Sequence, residues 1–179
     1  MDERLASYLD DRRDEHRDTL FELLRQPSVS ARGEGLDACA DLLIDIIGRY
    51  GFDARAIPTS TAPIVYLSET VDESLPTVLF YGHYDVQPAE HPEQWESPPF
   101  EPTVRDGSVY CRGAGDNKGQ FTTHAFALDA LAAADSVPEV TVKLLVEGGE
   151  ESGSLGLKAY LDGEAAVDDP GADADAPAA

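Results

Sequence analysis

Apolar residues recur along this chain at helical spacing in some stretches and in short continuous runs in others. Leu5, Leu9, Leu20, Phe21 and Leu24 supply one apolar stripe, and Pro27 stands just beyond it, which predicts a helix over 3–25. Leu36, Cys39, Leu43, Ile46 and Ile47 share one face of a second predicted helix over 36–50, with Gly51 placed to cap its C-terminus. Three strand candidates follow, at 52–57, 64–68 and 77–81. The last, Thr77-Val78-Leu79-Phe80-Tyr81, is continuous and apolar, as expected of a central strand buried on both faces. A Pro-rich loop over 86–102 leads to a predicted hairpin, in which Asp106-Gly107 turns between 103–105 and 108–112. An Ala-rich helix over 118–134, a buried strand over 140–146 and a short helix over 155–161 complete the pattern. Helices alternating with buried strands indicate an α/β layered domain.

The pattern stops near residue 161. From Asp162 to Ala179 there are six acids and no base, and almost everything else is Ala, Gly or Pro. Residues 162–179 therefore read as a solvated, disordered tail.

Composition narrows the functional classes. The chain is 42% hydrophobic, a globular value, and carries 35 acids against 13 Lys and Arg for a net charge of -22. Nucleic acid and anionic membrane surfaces need basic contacts, so neither is an expected partner. Ten of the 13 bases are Arg and only Lys118, Lys143 and Lys158 are lysines. An acid-rich, Lys-poor surface suits a cytosol with molar salt, where the Debye length falls to about 3 Å, and predicts a halophilic source. Cys39 lies on an apolar helical stripe and Cys111 in a strand-like run, which is not a disulfide framework. The start, Met1-Asp2-Glu3-Arg4, is charged with no apolar stretch after it, and no run approaches the roughly 18 apolar residues of a membrane span. The expectation is a soluble cytoplasmic protein without a signal peptide.

Three loops carry candidate chemistry, each after a predicted strand or hairpin, where ligand sites of open α/β sheets collect. In Gly82-His83-Tyr84-Asp85-Val86-Gln87-Pro88, His83 and Asp85 project on the same side of an extended chain. A ligating His usually has its second nitrogen held by a carboxylate, a task for Asp85; an exposed His beside an exposed Asp is the plain alternative. In Arg112-Gly113-Ala114-Gly115-Asp116-Asn117-Lys118-Gly119, Asp116 precedes a helix and is either its N-cap or a carboxylate shared by two metals. The spacing is not that of a phosphate-binding loop. In Glu147-Gly148-Gly149-Glu150-Glu151-Ser152-Gly153-Ser154, one of the adjacent carboxylates could bind metal while the other accepts a proton; a solvated acidic loop is the alternative.

Together with Trp95-Glu96-Ser97-Pro98-Pro99-Phe100, the order and spacing of these segments resemble the M20 metallopeptidases over residues 3–162. The likeness is to the dipeptidase, carnosinase-like branch, with deacetylases and desuccinylases as relatives. The resemblance implies a helix–sheet–helix, zinc-exopeptidase-like catalytic domain, with 1–161 its N-terminal portion. It implies His83 as a ligand of one zinc, Glu151 as a ligand of a second, and Asp116 as the bridge. Glu150 would be the general base and Asp85 the residue that orients His83. Two zinc ions per site are implied, with cobalt or manganese as alternatives, and a small peptide or N-acyl amino acid as substrate. Where the family has a second carboxylate after the bridging Asp, this chain has Asn117.

The resemblance also implies later parts: a further Asp ligand, a late His ligand and a lid/dimerisation domain. The four His are His16, His83, His91 and His124, none of which follows Glu151. The expectation is therefore an incomplete catalytic domain, binding metal weakly and inactive alone. A homodimer or a complementing C-terminal segment would be its partner, and a non-catalytic interaction or weak metal-binding module is the alternative. An uncovered sheet edge and apolar face are expected as well.

Overall fold

A computed structural model describes residues 3–69, 74–134 and 140–163. The tail expected over 162–179 falls, from residue 164 onward, outside the described residues. In chain order the elements are helices α1 (Glu3–Asp11), α2 (Arg13–Arg25) and α3 (Leu36–Arg49), then strands β1 (Ala54–Ile57), β2 (Ile64–Glu69) and β3 (Thr77–His83). The hairpin β4 (Thr103–Arg105) and β5 (Ser108–Tyr110) follows, then α4 (Lys118–Ala133), β6 (Thr141–Glu147) and α5 (Leu155–Leu161). Among the described residues no helix is long and apolar enough to cross a membrane.

The single helix expected over 3–25 is two. Hydrogen bonding continues through the junction, with the Arg12 N–H donating to Tyr8 O at 3.0 Å and the His16 N–H to Arg12 O at 2.9 Å. Arg12 itself leaves helical geometry, at φ -96° and ψ 2°. The reason lies in packing: α2 buries His16, Thr19, Leu23 and Leu24 between α3 and α4, whereas α1 buries nothing and bends to lie along α4. The second helix matches its pattern, with Cys39, Leu43, Ile46 and Ile47 buried and Arg49 its last residue.

The main sheet has the order β1-β2-β6-β3, with β3 and β6 parallel and the other pairs antiparallel. Here one expectation fails, because β3 is not central. It is the edge strand of the described sheet, and Val78, Leu79 and Tyr81 are 39%, 57% and 49% exposed. The interior strand with the apolar run is β6. A continuous apolar run reports two apolar faces and says nothing about neighbours along the hydrogen-bonding direction. One face of β3 packs on α4, where Phe80 stacks on His124 at 4.4 Å; the face with Leu79 and Tyr81 is open. The hairpin forms as expected: Arg105 pairs with Ser108, and Asp106 and Gly107 take φ 50° and 77°, the two positive angles of a tight two-residue turn.

The strands divide the core into two layers. Leu23, Leu43, Ile46, Ile47, Val65, Leu67, Phe121, Leu144 and Val146 fill the side under α2, α3 and α4. Ile57, Ile64 and Leu145 face the other way, against Leu157 and Tyr160 of α5. The result is the expected helix–sheet–helix layering. It also sets the site. Because β3 and β6 are parallel with His83 opposite Glu147, the loops that follow them leave from the same end of the sheet.

The start of α4 approaches this end over bare backbone at Gly82. A methyl group there would lie 2.7 Å from Asn117 Oδ1 and 2.8 Å from Phe121 Cβ. Gly82→Ala should therefore lower stability by about 1–3 kcal/mol, read from urea unfolding, as α4 is forced off β3. An unchanged midpoint would show that α4 can shift without loss.

Candidate metal centre

His83 ends β3 and is buried, so its ring is held by its neighbours and not by water. Nε2 lies 3.1 Å from Asp116 Oδ1 and 3.9 Å from Glu150 Oε2. On the other side, Nδ1 lies 3.1 Å from the Asp85 carbonyl oxygen and 3.3 Å from its carboxylate Oδ1. Asp85 is wholly buried, and its two carboxylate oxygens accept the backbone N–H groups of Glu150 and Glu151 at 3.2 and 3.1 Å. One side chain thus ties the loop after β3 to the loop after β6.

Asp116 and Glu151 approach from the other two segments. Ligand atoms of His83, Asp116 and Glu151 all lie within 4.8 Å of one another. An imidazole nitrogen with two carboxylate oxygens is a donor set suited to zinc and similar divalent cations. The charge balance agrees: the ion pairs of Asp85, Asp116 and Glu150 all run to the one His83 ring. Four carboxylates against one imidazolium leave an excess of negative charge that a cation would offset.

The ring's protonation follows from these contacts. Burial alone would lower the His83 pKa, but hydrogen bonds to Asp85 and the charges of Asp85 and Glu150 outweigh it and raise the value to about 9. At neutral pH without metal the ring is therefore protonated and donates from both nitrogens. A cation on Nε2 takes the place of that proton, so binding strengthens as pH rises. Folding binds the proton more tightly than the unfolded chain does. The contribution to stability is thus complete below the ordinary His value and fades as pH rises through about 9.

All five residues expected from the sequence meet here. His83, Asp116 and Glu151 converge, Glu150 lies beside them, and Asp85 stands behind the histidine. Asp116 is not the N-cap of α4; Asn117 holds that place, without a side-chain cap bond. Two contributors had been missed. Asn117 Oδ1 accepts the His83 backbone N–H at 3.0 Å, and Gln87 Nε2 donates to Glu151 Oε2 at 2.8 Å. Both lie inside the loop motifs, but nothing in their spacing points across to a partner in another loop.

The fold and this cluster suit a metal-dependent catalytic domain, and comparison with known proteins names the family. The sequence signature of Peptidase family M20/M25/M40 matches residues 79–177, more than half of the chain, which belongs to that family. The Beta-Ala-His dipeptidase of Rattus norvegicus is 34% identical over 174 residues, covering 87% of this chain and 35% of that protein. The crystal structure of human carnosine dipeptidase 1 matches with a TM-score of 0.81 and 31% identity, over 90% of this chain and 37% of the other. The M20 family metallo-carboxypeptidase Sso-CP2 from Sulfolobus solfataricus matches with a TM-score of 0.79 and 39% identity, over 83% and 34%. The chain thus spans about a third of the length of these relatives.

Asp85→Asn removes the largest influence that raises the His83 pKa. An NMR titration of the ring should move its midpoint from about 9 towards the ordinary His value. A midpoint still near 9 would show that Asp85 does not hold the proton there.

Proposed function

We propose that this chain forms part of the catalytic domain of a metal-dependent hydrolase that cleaves the peptide bond of a small dipeptide. The convergence of His83, Asp116 and Glu151 within 4.8 Å, with Glu150 at 3.9 Å from the His83 ring, carries this reading. His83 would hold one zinc, Glu151 a second, and Asp116 both, with cobalt or manganese as substitutes. When bound, such a pair supplies charge that polarises a carbonyl and makes water acidic near neutrality.

The chain's own residues then divide the work. Asp85 holds Nδ1 of His83, which leaves Nε2 facing the site. Gln87 donates to the Glu151 carboxylate, which restrains that side chain for a ligand's place. The Glu150 carboxylate has no such donor among the described residues. Glu150 therefore accepts a proton from the attacking water and delivers it to the amine nitrogen as the carbon–nitrogen bond breaks. The names of the mammalian relatives favour a β-Ala-His-like dipeptide over an N-acyl amino acid.

Catalytic zinc usually has three protein ligands, and among the described residues each of two ions would have two, counting Asp116 for both. Weak zinc binding and little or no turnover are therefore expected of this chain alone, with further ligands supplied by another segment or a second copy. A second reading rests on the same distances: three ligand atoms this close also suit a single cation in a non-catalytic site.

Zinc stoichiometry by equilibrium dialysis, paired with hydrolysis of β-Ala-His, separates the two. On the hydrolase reading two zinc ions bind per chain at saturating zinc, Glu150→Gln keeps them, and whatever turnover the chain shows falls by about a hundredfold or more. One zinc per chain at saturating zinc, or turnover that survives Glu150→Gln, would sink it in favour of the binding module.

A further inference from the structure

Lys118 is the one lysine or arginine that is wholly buried among the described residues, at 0% exposure, and it stands two positions after Asp116. It is the first residue of α4, yet its ammonium reaches back to another element. Nζ donates to the Gln26 carbonyl at 2.6 Å and the Leu23 carbonyl at 3.2 Å. These are carbonyls at the C-terminal end of α2, where the dipole is negative; the Leu23 carbonyl also accepts the Gln26 N–H at 3.3 Å. A buried ammonium costs folding energy unless its donors are satisfied. A core that only needed volume here would be served by Met or Leu.

The same short segment also grips the other half of the site. Ser28, at 0% exposure, donates its hydroxyl to the Tyr84 carbonyl at 2.6 Å, and its own carbonyl accepts the Val86 N–H at 2.9 Å. Tyr84 and Val86 flank Asp85, and Tyr84 follows His83. Residues 23–28 thus hold the loop of His83 and Asp85 on one side and the start of α4 on the other. Asn117 closes the triangle by accepting the His83 N–H at 3.0 Å.

We propose that Lys118 is a positioning residue: by fixing the start of α4 to the end of α2 it sets where Asp116 meets Nε2 of His83, while Ser28, from the same segment, sets the Asp85 side of the ring. The consequence for metal rests on the hydrolase reading above; the consequence for the ring does not. Lys118→Met should disturb the Nε2 side of His83, and Ser28→Ala the Nδ1 side.

The test uses the ring nitrogen resonances of His83 in metal-free protein, together with zinc affinity measured against a chromogenic chelator well below the unfolding temperature. Lys118→Met is expected to shift Nε2 and leave Nδ1 in place, and Ser28→Ala to do the reverse. Each should weaken zinc binding by about tenfold to a hundredfold. A side chain that only supports the core would lower the melting temperature without that division. Folded variants with both nitrogens unchanged, or both shifted alike, overturn the proposal. Should Lys118→Met fail to fold, Lys118→Gln keeps an uncharged donor group and gives the same readout. If wild-type protein binds no zinc, or His83→Ala binds it equally well, the hydrolase reading fails, and the ring resonances still decide the positioning role.

Discussion

The buried carboxylate of Asp85 is the constraint on which the rest of this site depends. An ionised group at 0% exposure is tolerable only when its oxygens are satisfied. Its partners here are the N–H groups of Glu150 and Glu151 and the Nδ1 edge of His83. Those bonds settle three positions at once. The loop after β6 cannot drift from the loop after β3 without leaving a buried charge unpaired, and the imidazole cannot turn without losing the acceptors at its back. Two adjacent glutamates in a glycine-rich loop would otherwise have wide freedom. Their backbone is fixed even though their side chains reach solvent.

That constraint works because the sheet brings the two loops to one end. Parallel pairing of β3 with β6 sets His83 opposite Glu147, and α4 connects them across one face. The hydrophobic layer beneath α2, α3 and α4 supplies the rigidity, since Leu23, Phe121 and Val146 are packed among the same buried side chains. The opposite face is thinner. It is covered by α5 near β1 and β2, while Leu79 and Tyr81 on the edge strand meet solvent. Packing is therefore densest under the side of the sheet from which α4 delivers Asp116.

Much of this could be read from residue spacing, and the failures have definite causes. The helix over 36–49, the hairpin at Asp106-Gly107 and the helix from Leu155 are decided by local pattern and turn chemistry, and they appear where the pattern puts them. The break at Arg12 and the edge position of β3 are decided by what lies beside each segment, which no window along the chain contains. The site divides in the same way. His83, Asp85, Asp116, Glu150 and Glu151 stand out as candidates because each lies in a short motif, and the structure brings them together. Gln87, Asn117, Ser28 and Lys118 act on partners 64, 34, 56 and 92 residues away, so their contribution exists only once the loops have met.

Charge shows why bulk composition is a poor guide to such a site. At a net charge of -22 the whole surface attracts cations, but that attraction is screened within about 8 Å at physiological ionic strength and does not choose a ligand geometry. The four carboxylates around His83 differ from the others in being held. Asp85 is fixed by backbone donors, Glu151 by Gln87, and Asp116 lies against the ring nitrogen. Glu150 is the member whose carboxylate has no hydrogen-bond donor among the described residues, and its side chain is 44% exposed. A carboxylate without a fixed donor is free to move between an attacking water and a leaving group. On the proposed hydrolase reading, that freedom, set against the restraint of its neighbours, suits Glu150 to carry a proton and the others to hold metal.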